Sequence, residues 1–514
     1  MKLVKSLLLS SAAGLIAVGG AQAADLPVKA KAVEYVKVCS LYGAGFYYIP
    51  GTDTCIKLGG YLRADVLANT NNVAGGAYNG VAGGNNRLSN GFMWRSRADM
   101  TLDTRTATEY GVVRTYSELV YTWTSDSVVG NGSGQFGGAA AYNNTSNILQ
   151  NASSGTVASG QLGVYMAFIQ FAGFTMGRGV SVFSAPWTAY PGNNMDALVG
   201  GSNTVTGTNL VSYTADFGGG VSAAISVQDP TQNFQSGVFN LGPAASATAG
   251  PALFGANNIP GTMAPDIVGM VRVDQAWGLF QASAALHDVR AGYYGIDETT
   301  GHPQDKWGWA GALALSIKNI PTGPGDTINV QGVYTNGATR YNIQELSQAN
   351  AMAMYGSSGA NGAYQSVGFG MAPDAVFGPG GSLQLVSTWG FRGAYTHNWD
   401  PYWSTSVYGA YASVSYTGVA KGLLCGVDGT ISRHMTAGST CNPDYNVGQL
   451  GVITRWTPVK NLTFSADLMY TMLDQKMSGF IDQTVQANIA KPNATYALKD
   501  QNTVTLLLRA QRNW

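Results

Sequence analysis

The stretch Gly91 to Ser125, GFMWRSRADMTLDTRTATEYGVVRTYSELVYTWTS, constrains the fold more than any other part of the chain. Its first half alternates. Phe92, Trp94, Ser96, Ala98, Met100 and Leu102 fall on one parity; Met93, Arg95, Arg97, Asp99, Thr101 and Asp103 fall on the other. A period of two is a strand period and sends the two sets to opposite faces. A polar cluster, Arg105 to Thr108, breaks the pattern. Beyond it Val113, Thr115, Leu119, Tyr121 and Trp123 share one face, and Arg114, Tyr116 and Glu118 share the other. The stretch reads as a long β-hairpin turning near Arg105-Thr106, which sets Arg95 opposite Glu118 and Asp99 opposite Arg114. Trp94 and Trp123 lie at the end away from the turn, on one apolar face, as aromatics do at a membrane interface. A pore lining explains the arginines in mid-strand. An amphipathic hairpin of a soluble β-protein shows the same alternation, so this stretch alone leaves both readings open.

The rest of the chain decides between them. Only 11% of its residues are charged, glycine reaches 68 and tyrosine 27, and mean hydropathy is +0.01. A soluble protein averages about 25% charged residues. Segments with strand alternation recur to the C-terminus, for example Gly160–Ala172 with Phe174–Ser181, Trp307–Lys318, Tyr445–Thr457 with Leu462–Leu473, and Asn502–Trp514. Short turns alternate with long Gly/Ala/Asn/Ser loops. The count is about sixteen strands. The fold class expected is all-β: a transmembrane antiparallel β-barrel with long extracellular loops. An open sheet of that size would expose edges, and closure removes them. The last strand would show Val504, Leu506, Leu508, Ala510 and Trp514 to lipid, with Arg512 near the interface.

Residues 1–23 read as a secretory signal: Lys2 and Lys5, an apolar centre from Leu7 to Val18, and the cleavage site Ala21-Gln22-Ala23. Residues 24–514 form the barrel domain. No uninterrupted apolar run of ~18 residues follows, so spanning is by strands. Formal net charge is zero, with 28 basic and 28 acidic residues; without Lys2 and Lys5 the basic count is 26. Neither balance points to nucleic acid. Cys39 and Cys55, and Cys425 and Cys441, are two pairs each sixteen apart, which in an exported protein suggests two disulfides. Each would add roughly 3 kcal/mol. A metal site is the weaker alternative, because there is no CxxC and the four histidines lie far apart.

Three segments carry a family resemblance: residues 24–66, ADLPVKAKAVEYVKVCSLYGAGFYYIPGTDTCIKLGGYLRADV; MWRSRADMTLDTRT; and the C-terminal LLLRAQRNW. In these the chain resembles the major outer-membrane porins of alphaproteobacteria, Rhizobiales type. The resemblance implies a homotrimeric general diffusion porin of sixteen strands in the outer membrane of a Gram-negative cell. Its surroundings would be outer-membrane lipid and lipopolysaccharide, and its solutes small and hydrophilic. It also implies that the third long loop, here Val182–Thr208, folds into the barrel and narrows it. The constriction would set Asp196 of that loop against Arg63, Arg95, Arg97 and Arg114 on the wall. Arg272, Arg392, Arg455 and Arg509 are further inward candidates. A substrate-selective, anion-biased channel is the alternative function. An enzyme is not expected, since there is no G-x-S-x-G, H-E-x-x-H or P-loop sequence, and no cofactor is implied.

Overall fold

The computed structural model describes residues 37–69, 92–124, 156–157, 160–187, 192–194, 198–202, 206–242, 256–344, 352–356, 366–427, 429–482 and 495–514. The expected leader and Asp196 lie outside the described residues. Period two governs nearly everything else. Sixteen strands form one antiparallel sheet: β1 (Thr54–Asn69), β2 (Phe92–Thr108), β3 (Gly111–Thr124), β4 (Gly160–Phe171), β5 (Phe174–Gly179), β6 (Thr208–Gly218), β7 (Val221–Gln228) and β8 (Asp266–Gln275), then β9 (Gly278–Val289), β10 (Lys306–Lys318), β11 (Thr327–Asn336), β12 (Ser387–Asn398), β13 (Trp403–Ser415), β14 (Tyr445–Val459), β15 (Leu462–Gln475) and β16 (Gln501–Asn513). Tyr47–Tyr48 and Thr156–Val157 add two short pairings to β1 and β4. Each main strand pairs with its sequence neighbour, and β16 returns to β1 from Tyr61↔Asn513 to Asn69↔Thr505. The barrel is closed, so every ladder N–H and C=O finds a partner within the sheet.

The two parities face different solvents. Leu58, Leu62, Met100, Leu313, Leu450 and Leu468 are exposed on the outer face, as are Val504, Leu506 and Leu508, the expected lipid side of the last strand. Asp65, Arg95, Asp99, Gln281, Arg392 and Asp467 are buried on the inner parity. Exposed tryptophans form two belts on the outside. Trp307, Trp309 and Trp389 lie toward the long loops; Trp277, Trp403 and Trp456 lie toward the short turns. Trp389 is level with Ser413 on β13, ten residues from Trp403. That is ~33 Å along a strand, or ~25 Å along the axis at a ~40° tilt, the height of a barrel's apolar band. On β13, where aromatics occur on both parities, Tyr411 faces out and Tyr408 is buried inside.

Two sequence expectations need correction. The β2–β3 hairpin does not turn at Arg105-Thr106. β2 runs on to Thr108, and Thr108 pairs with Gly111 around Glu109-Tyr110. Arg95 therefore faces Thr124, Asp99 faces Val120, and Arg114 faces Arg105. A polar cluster ends a strand in a soluble protein, but on a water-facing inner wall it is ordinary strand sequence. The long loops also carry structure of their own. Val238–Asn240, Ala256–Asn257, Ala375–Phe377 and Gln384–Leu385 form one small sheet; Met352–Gly356, Ser366–Gly370, Gly479–Asp482 and Thr495–Leu498 form another. A helix, α1 (Gly418–Cys425), packs Leu424 into the same core as Phe239, Val376, Ile481 and Tyr496. Cys39–Cys55 and Cys425–Cys441 are both disulfides, with Cα atoms 6.0 and 5.5 Å apart.

The seam between β1 and β16 leaves no room for a side chain at Gly60. Its φ is +150°, and a Cβ there would lie 2.1 Å from the Asp99 carbonyl oxygen and 3.0 Å from the Trp514 ring. The Trp514 N–H donates to the Gly60 carbonyl at 3.2 Å. Gly60→Ala should destabilise the refolded barrel by about 1–3 kcal/mol, read as a lower urea midpoint. Gly269→Ala, where a Cβ meets nothing within 4 Å, should change it by less than about 0.5 kcal/mol.

Candidate pore constriction

Register decides what each wall arginine does. Asp65 on β1 lies between Arg95 on β2 and Arg509 on β16, its direct cross-strand partners. Arg95 donates through Nε and Nη2 to Asp65 Oδ2 at 2.8 and 2.7 Å, and Arg509 donates through Nε to Oδ1 at 2.7 Å. All three are buried. Arg95, expected to face the pore, is thus held in a charge cluster that closes the seam. Arg114 is also neutralised: it donates to both oxygens of Asp103 at 3.0 Å and to Gln170 at 2.9 Å. Arg105 shares the same carboxylate at 3.2 and 3.0 Å.

Arg63 and Arg97 are different. They face each other directly across β1 and β2. Arg63 Nε donates to Gln511 at 2.8 Å and Arg97 Nε donates to Thr122 at 3.2 Å. Both side chains are half-buried, and among the described residues neither is ion-paired. Asp99 lies two positions toward the short turns, and Glu118 on β3, opposite Thr101, lies two further and accepts from the Tyr116 hydroxyl at 3.4 Å. Of the four expected wall arginines, one opposed pair has no carboxylate partner among the described residues.

The segment after β5 is bonded to the inner parity of six strands. Ser181 donates to Gln228 on β7 at 2.6 Å, and Gln281 on β9 donates to the Ser184 carbonyl at 3.2 Å. Arg392 on β12 reaches the Ser202 carbonyl at 2.8 Å. Arg455 and Gln449 on β14 hold the Gly192 carbonyl and the Val199 N–H at 3.1 and 2.9 Å. The Asn194 N–H donates to Asp467 on β15 at 2.7 Å, and Arg509 on β16 reaches the Asn194 carbonyl at 3.4 Å. Three of the four further inward arginines thus bind loop backbone. The fourth, Arg272, donates to Gln281 at 2.9 Å.

Sequence reasoning missed Asp65, Asp103 and Asp467 as partners. Asp65, Asp103, Asp99 and Glu118 shared the arginines' parity, and that was the available signal; the missing quantity was register. A second buried cluster also went unread. His287 Nδ1 lies 2.7 Å from Asp266 Oδ1 and Nε2 lies 3.5 Å from Asp374 Oδ2, while the Tyr341 hydroxyl donates to Asp266 at 2.6 Å. Thr339 N–H and Ser236 N–H donate to Asp374 at 2.7 and 2.6 Å, tying two long loops to β8 and β9.

A closed barrel with an apolar outer face, two tryptophan belts and a charged inner wall is a transmembrane β-barrel of the outer-membrane type. The sequence pattern of a porin subfamily matches residues 25–507, and the chain belongs to that family, in its alphaproteobacterial branch. Porin Omp2b of Brucella abortus (strain 2308) is 36% identical over 292 residues, which is 56% of this chain and 66% of that relative. Omp2b of Brucella melitensis biotype 1 gives the same figures. The match therefore spans slightly less than two thirds of these relatives' length. The outer membrane channel DcaP of Acinetobacter baumannii superimposes with a TM-score of 0.52 at 14% identity, covering 91% of this chain and 99% of that one, a likeness of fold.

Asp65→Asn would leave Arg95 and Arg509 facing a neutral amide in a buried site. A loss of about 3–5 kcal/mol is expected, measured by urea unfolding of the folded barrel. Arg63→Gln, on the open wall, should cost about 1 kcal/mol or less by the same measurement.

Proposed function

We propose that the protein is a general diffusion porin: a passive, water-filled pore for small hydrophilic solutes and ions. The observation that carries this is the asymmetry of the barrel interior. The loop is bonded to β7, β9, β12 and β14 through β16, while the wall of β1 to β3 keeps half-buried, water-facing charges. The loop narrows the pore from one side. Arg63 and Arg97 set the charge on the other, and Asp196 is the loop's acidic contribution. No covalent chemistry enters the mechanism. Solutes move down their gradients, screened by width and by charge. The protein assembles as a homotrimer in lipid and lipopolysaccharide, after removal of residues 1–23 as an export signal.

An anion-biased selective channel is the second reading, favoured by the opposed arginine pair that has no carboxylate partner among the described residues. Planar-bilayer recording of the purified mature protein tests both. A general porin trimer inserts in single steps and closes in three sublevels. In a KCl gradient the reversal potential should show chloride preference, and Arg63→Gln with Arg97→Gln should move it toward cation preference. Absence of conductance from folded protein would defeat the porin reading. A reversal potential untouched by the double variant would remove Arg63 and Arg97 from the constriction.

A further inference from the structure

The wall opposite the loop has a second property besides charge. Its cations lie on aromatic rings. The Arg63 guanidinium is 4.4 Å from the centre of the Tyr61 ring, and that of Arg97 is 5.8 Å from Tyr165. Nearer the short turns, Arg114 lies 5.1 Å from Tyr116 and 5.5 Å from Phe168, and those two rings stack at 5.4 Å and 27°. All four rings are half-buried. The two levels are set by register: Arg97 is opposite Arg63, and Asp103, six residues further along β2, is opposite Tyr116. They are therefore ~20 Å apart along the strands. Beyond the second level a recess of about 480 Å³ opens at the short-turn mouth, lined by Tyr42, Arg105, Arg114 and Gln170 among others.

A guanidinium carries its N–H donors in its own plane, and one within cation–π distance of a ring still presents those that no side chain takes. Arg63 and Arg97 each use Nε on a neutral wall side chain, leaving their Nη groups without a protein partner among the described residues. An incoming carboxylate can meet those edges in plane, and a flat ring attached to it can lie against Tyr61 or Tyr165. An inorganic anion finds only the charge. A neutral arene finds only the ring.

We propose that this wall favours flat aromatic carboxylates among the solutes that pass. The inference rests on the porin reading and names its preferred solute class. Asp99 and Glu118, between the two levels, keep an anion from settling midway. Each level then holds the solute weakly, as conduction requires.

The test compares benzoate with cyclohexanecarboxylate, which has the same charge and nearly the same size without the flat π-face. Bi-ionic reversal potentials of the mature protein in planar bilayers give their permeability ratio. Benzoate should be favoured about threefold, the scale of one exposed ring contact. Tyr61→Leu with Tyr165→Leu should bring the ratio to about one while KCl conductance persists. A ratio of one in the unaltered protein, with KCl conducting, overturns the inference and leaves the porin reading standing. So does a threefold ratio that survives the double variant. Absence of KCl conductance overturns the porin reading itself.

Discussion

The structure depends on one constraint: in hydrocarbon a backbone N–H or C=O has no water to turn to. A sheet can satisfy that only by meeting its own edge. The meeting of β16 with β1 is therefore the critical contact of the fold, and the sequence around it is specialised for it. Gly60 lets the Asp99 carbonyl and the Trp514 ring approach within distances that no side chain permits. Asp65 then joins β16, β1 and β2 through two buried arginines. A buried ion cluster is weak evidence for stability in general, because desolvation offsets the attraction. Its value here is in register. A slip of one residue would send Asp65 into lipid and leave two guanidinium groups unmatched.

Closure creates a second problem, since a barrel of sixteen strands is wider than its own side chains can fill. Loop residues pack against several of the strands. Phe183, Phe234 and Tyr341 cover the alanines of β9 and β10, and Leu198 and Val199 join Tyr408, Ile453 and Met469 in the larger core. The loop's backbone, lacking a ladder, takes its hydrogen bonds from inner-wall side chains instead: Arg392, Arg455, Gln449 and Asp467. These residues look like pore-lining charges by parity and act as loop anchors. Their hydrogen bonds go to backbone groups that would otherwise be buried without partners.

Parity was legible in the sequence throughout, because it is a local property. Val504, Leu506 and Leu508 fall on the exposed face as the alternation required, and strand boundaries fall within a few residues of those read. The cysteine pairing was legible from spacing and compartment. Register was not, because it depends on where a turn closes. The polar run Arg105 to Thr108 read as a break when it continues the strand. That one error moved every cross-strand partner on the hairpin, those of Arg114 among them; the role of Arg95 depends instead on the register of β1 against β2. The small sheets in the loops were illegible for another reason. Strands of two to five residues, such as Ala375–Phe377, take their stability from the core they join rather than from a pattern of their own.

The arginines on the first three strands show how far position outweighs identity. Arg95 and Arg97 are two residues apart on one face of one strand. Arg95 meets Asp65 and is buried; Arg97 meets Arg63 and is not. A like-charge pair directly across two strands costs roughly 0.2–1 kcal/mol. The ring contacts and Nε hydrogen bonds offset part of that cost without cancelling either charge. Replacing one of the two by glutamate would turn the pair into another Asp65-like ion pair and help the fold. It would also remove the positive charge from that level of the inner wall. The rest of the barrel, through its closed ladder and its buried seam, carries the cost that remains.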